Sequence, residues 1–143
     1  MMKSLAFLVP LIPLVAYAED KADNSRDGVE IVSRTSDPQL VDLAIAPSIS
    51  DRQPQDVSDS YPATIGSLYC WSSVKNRGEA TQVVHIWRYG DRVINQHQMK
   101  IGKSIRWRTW SQQRINSKLT GTWSCEVVDQ GGETLGKATV KVQ

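Results

Sequence analysis

Cys70 and Cys125, His85 and His97, and the run IRWRTWS at residues 105–111 hold most of the side chains through which this sequence could do chemistry. The two cysteines and the two histidines are the chain's whole complement of each, and the run carries two of its five tryptophans beside two arginines. Two imidazoles can begin a zinc site, which takes three or four protein ligands. Guanidinium forks hold carboxylates or phosphates bidentately, and indole faces stack on sugar rings or on partner side chains.

The spacing around these residues argues against catalysis. There is no H-x-H, C-x-x-C or G-x-S-x-G and no Gly-rich phosphate loop. His85 sits in a hydrophobic run on the same face as Trp87 and reads as a satisfied core histidine, whereas His97 lies among polar residues. A hairpin around Gly90-Asp91 would bring positions 85 and 97 together. The expectation is a protein that is not an enzyme and holds no cofactor or metal, with a hydrolase or a metal-binding protein as the remote alternative.

The segments that must position these residues read as short β-strands. Runs of β-branched and aromatic residues at 29–33, 41–46, 66–74, 81–89, 92–101, 105–110, 122–129 and 135–142 are separated by turn formers, and no long helical period intervenes. Residues 47–62, with three prolines, read as a long connection. About seven to eight strands in one domain predict an all-β, immunoglobulin-like antiparallel sandwich. The order Cys70, Trp87, Cys125 sharpens this, because such sandwiches pack a tryptophan on a disulfide between the sheets. Trp123 stands where tyrosine is common. A Cys70–Cys125 bridge closes a loop of 125 − 70 = 55 residues, worth roughly 4 kcal/mol by chain entropy.

Strand parity places Ile105, Trp107 and Thr109 on one side, expected to face the core, and Arg106, Arg108 and Trp110 on the other. The latter three form a candidate binding ridge, with a cation–π contact between Arg108 and Trp110. The bland alternative is that the arginine stems cover apolar surface while Trp110 closes a corner. Leu68, Trp87, Trp107, Trp123 and Val127 are the candidate core.

The N-terminal end reads as a secretory signal peptide over 1–18, with Lys3, an apolar run at 5–15 and Ala16-Tyr17-Ala18. Pro10 and Pro13 interrupt the apolar run, which falls short of the roughly 20 residues that span a bilayer. A polar leader with a possible edge strand over 19–40 and a β-sandwich over 41–143 follow. From 19 to 59 there are four basic and ten acidic residues, and from 60 to 143 twelve basic and five acidic, so the two parts carry −6 and +7. Whether the acidic leader docks on the basic half is open at this point, as is the oligomeric state.

Five stretches resemble one family: ISDRQPQD (49–56), LYCWSSV (68–74), VHIWRYGDRV (84–93), IRWRTWSQQRI (105–115) and GTWSCEVVDQGGETL (121–135). Together they are similar to the bacterial envelope domain-of-unknown-function family numbered 2914. The resemblance implies a small exported all-β domain and assigns no catalytic residue. The sequence departs from that pattern at Cys125, more often aliphatic, and at Gln53, often acidic, so the disulfide rests on residue order alone. The expected function is a periplasmic or secreted module for protein recognition or assembly in the envelope. The alternative is a module binding a glycan or other anionic polymer through the Arg/Trp ridge. Nucleic acid is excluded as a partner by export and a mature charge of only 16 − 15 = +1, and no transmembrane segment remains after signal cleavage.

Overall fold

A computed structural model describes residues 27–143, and none of these is helical. The expected signal peptide at 1–18 and residues 19–26 of the expected leader lie outside the described residues. The strands are β1 (Val29–Ile31), β2 (Gln39–Ala46), β3 (Ser48–Ser50), β4 (Gln53–Gln55), β5 (Ser60–Tyr61), β6 (Ser67–Asn76), β7 (Thr81–Tyr89), β8 (Arg92–Ile101), β9 (Ser104–Arg114), β10 (Gly121–Asp129) and β11 (Thr134–Val142).

They form an immunoglobulin-like sandwich. One sheet runs β1-β11-β10-β7-β8, with β5 added parallel to β11; the facing sheet is β2-β6-β9. Alternation builds the interior: β7 turns Val83, His85 and Trp87 inward, each fully buried, and β10 turns Trp123, Cys125 and Val127 inward beside them. Leu68 of β6 is fully buried too, and Trp107 of β9 packs part-buried against this cluster.

The Cys70–Cys125 disulfide ties β6 of one sheet to β10 of the other, with Cα atoms 6.4 Å apart. Trp87 stands across from Cys125 on β7. Two residues before Cys125, Trp123 donates its indole N–H to the Leu119 carbonyl at 2.9 Å. That is the link back to upstream backbone that a tyrosine hydroxyl makes at the same place in related sandwiches. Tyr89 packs on Trp123 at 5.3 Å between ring centroids and donates its hydroxyl to the Thr120 carbonyl.

Two expectations need correction. The connection at 47–62 contains strands β3, β4 and β5. Asp51 and Arg52 take φ of 59° and 62°, the left-handed pair of a two-residue hairpin turn, so β3 and β4 form a hairpin without the Asn-Gly signal that marks such turns. Ile105 does not face the core and is 75% exposed. Between the pairs Val74–Trp107 and Asn76–Ser104, Ile105 and Arg106 together oppose the single residue Lys75, and this bulge turns Ile105 out.

Of the acidic first part, the described residues 27–59 are built into the sandwich. Asp37 takes the Arg77 guanidinium at 3.0 Å and the Arg77 backbone N–H at 2.7 Å, and Arg34 pairs with Asp129 at 3.0 Å. Those hydrogen bonds from Arg77 hold the Asp37 carboxyl at about 2.

Candidate functional site

The outer face of the small sheet collects the ridge. From Arg108 onward, the even-numbered residues of β9 point away from the core, with Arg106 released beside them at the bulge. Register sets Arg108 beside Ser73, and Ser73 beside Asp42; the next row is Trp110, Trp71 and Ala44. Trp71 is only 3% exposed although it points outward, because the β3–β4 hairpin lies over it and the Arg52 carbonyl accepts its indole N–H at 3.0 Å.

Beside that hairpin is a hollow of about 200 Å³ bounded by Asp42, Gln53, Trp71, Ser73, Arg106 and Arg108. Arg106 is exposed, while Arg108 and Trp110 are half-buried. Arg108 Nε is shut from water and has no hydrogen-bond partner. Such a donor costs free energy until an acceptor reaches it. The expected Arg108–Trp110 cation–π contact is absent among the described residues. Arg106 and Arg108 thus offer guanidinium donors to an anionic oxygen in the hollow, which Asp42 and the Trp71 indole also line.

The second constellation is sealed in the core. His85 is fully buried, with Ser72 Oγ 3.1 Å from Nε2 and Ser111 Oγ 2.8 Å from Nδ1. Trp87 also donates its indole N–H to Ser111 Oγ, at 3.2 Å. In either neutral tautomer one ring nitrogen donates to its serine and the other accepts from its serine. Burial, and secondarily the charge of neighbouring His97, pushes His85 down to about 3, so the ring is neutral at ordinary pH. His97 does pair with His85 across the hairpin, and its Nε2 is buried without a partner. Ligand atoms of Cys70, His85 and Cys125 lie within 4.8 Å of one another. Metals take thiolates, and both sulfurs here are consumed by the disulfide.

Sequence reasoning missed Ser72 and Ser111 as partners of His85, though both are small polar residues at inward parity, and missed Trp71, Gln53 and Asp42 as walls of the hollow. Parity alone points Trp71 outward beside Trp110; the hairpin that covers it carried no recognisable turn signal.

Residues 80–142 match the family model described as "Protein of unknown function (DUF2914)". That match supports the DUF2914 family over that span. The DUF2914 segment runs from β7 to β11 and includes the whole ridge, both histidines and Cys125. Cys70, Trp71 and the β3–β4 hairpin precede it, so the disulfide and the hollow join the DUF2914 segment to residues outside the match. No curated protein matches the chain. No helix of the described residues is long and apolar enough to cross a membrane.

Proposed function

We propose that the chain is an exported, non-catalytic module that recognises an acidic protein surface in the cell envelope through Arg106, Arg108 and Trp110. The observation that carries this reading is the half-buried Arg108, whose Nε is without a partner at the wall of an open hollow that Arg106 also lines. Carboxylates fit there because a guanidinium presents paired donors in a fixed fork. Export is supported by the buried disulfide, which persists in oxidising compartments, and by the signal-peptide pattern at 1–18. The absence of catalysis is supported by His85, whose two ring nitrogens are both engaged by serines and closed off from solvent. Trp110, half-buried on the same face as Arg108 and paired with Trp71, favours a second reading in which the ridge stacks on an anionic glycan.

Capture by the purified chain tests this. Arg108→Glu and Trp110→Ala are each expected to weaken partner capture by about tenfold, the cost of one anchoring contact, with thermal melting unchanged. Undiminished capture by both variants rejects the ridge. Retention on wall polysaccharide that falls with salt and with Trp110→Ala selects the glycan instead.

A further inference from the structure

Among the described residues the two sheets differ in width, and the difference leaves one edge open. In constant-type immunoglobulin sandwiches a fourth strand lies beside the one that β9 corresponds to. Here the chain passes from β8 through Gly102 and Lys103 directly into β9, so β2-β6-β9 stops at β9 while the facing sheet continues to β8. Burial records the consequence. Val83, His85 and Trp87 on β7 are fully buried, yet their cross-strand partners on β8 become progressively more open: Met99 and His97 are half-buried and Asn95 is exposed. His97 Nε2, without a partner, lies on this thinly covered strip.

The free edge of β9 has a definite polarity. The Ile115 N–H turns toward β6 to reach the Gly66 carbonyl at 2.9 Å, and the Arg114 carbonyl turns away, taking the Gln113 side chain at 2.9 Å. By antiparallel alternation, the backbone groups of Arg108, Trp110 and Gln112 face the open edge. The outward side chains of this edge include Arg106, Arg108 and Arg114. A second copy pairing edge to edge would set arginine rows against each other, an arrangement that like charges oppose.

We propose that β9 accepts an added strand from a partner protein, an extended segment whose alternate residues are acidic on the outer face and apolar on the inner face. The acidic residues reach Arg106 and Arg108, and the apolar residues lie beside Trp107 and cover Met99 and His97. Backbone hydrogen bonds give such strand addition its affinity and alternate side chains its specificity. This deepens the recognition reading above and rests on it, adding the backbone of β9 as the binding element.

The probe is a synthetic peptide about nine residues long that alternates valine and glutamate, added to the full chain. The proposal expects binding that Arg108→Glu weakens by about tenfold, and slowed hydrogen exchange at the Arg108, Trp110 and Gln112 amides. The same peptide N-methylated at every second amide should lose binding in at least one of its two registers of methylation. Equal binding of both methylated peptides overturns strand addition while leaving a side-chain ridge intact. No binding of the unmodified peptide by a monomeric chain overturns it as well. A chain whose Arg108, Trp110 and Gln112 amides are already protected in a concentration-dependent dimer places a second copy at β9 and overturns the partner assignment.

Discussion

His85 shows how a residue type suited to catalysis becomes structural when its surroundings are fixed. Its ordinary value of 6.5 falls to about 3 in the folded chain, mainly because burial opposes the charged ring. The unfolded chain therefore binds a proton at pH values where the folded chain does not. Stability from this group is complete above pH 6.5 and declines by about 1.4 kcal/mol per pH unit below it, down to the folded value. Thermal melts across pH 7 to 4 should show this fall, and His85→Gln, which keeps an amide to bond the two serines, should flatten it. An unchanged pH profile in that variant contradicts the assignment. The side-chain type and inward parity were legible in the sequence at His85, since its neighbours Val83 and Trp87 share its face. Its partners Ser72 and Ser111 were not, because they come from β6 and β9 on the opposite sheet and no local pattern links them.

At the level of strands, legibility followed turn chemistry. β7 and β8 end where Gly90-Asp91 predicts, since Gly90 adopts φ of 58° in a two-residue turn. The β3–β4 hairpin was hidden because Asp51 and Arg52 occupy left-handed positions that favour glycine or asparagine. Arg52→Gly relieves that strain and keeps the carbonyl that holds Trp71, so it should raise stability by about 0.5 to 1 kcal/mol; a lower melting temperature would count against the turn. Gly102 is the opposite case. A Cβ there would come within 2.6 Å of the Trp107 ring, so Gly102→Ala should displace Trp107 and destabilise the β8–β9 corner by about 1 to 3 kcal/mol, measured by denaturant unfolding. Ile105 failed its expected placement for an equally local reason: one extra residue in β9 opposite Lys75 changes which way the strand's first residues point.

Over the whole molecule, the order Cys70, Trp87, Cys125 made the sandwich readable because a disulfide between sheets restricts which strands can face each other. Reduction should lower stability by roughly 4 kcal/mol, seen as a lower melting temperature with reductant; no change would contradict the bridge. What the order could not show is the unequal width of the sheets, which depends on β9 following β8 without an intervening strand and which leaves the ridge at an open margin. The charge division has a structural counterpart, with Asp37 held by Arg77 across the two parts and Arg106 and Arg108 left facing outward. A photo-activated cross-linker placed at position 106 in intact cells, with the exposed position 141 on the other sheet as comparison, asks where the chain is touched. A discrete protein adduct from 106, absent from 141 and lost with Arg108→Glu, is the expected result; equal adducts from both positions, or none from 106, would contradict recognition through this face.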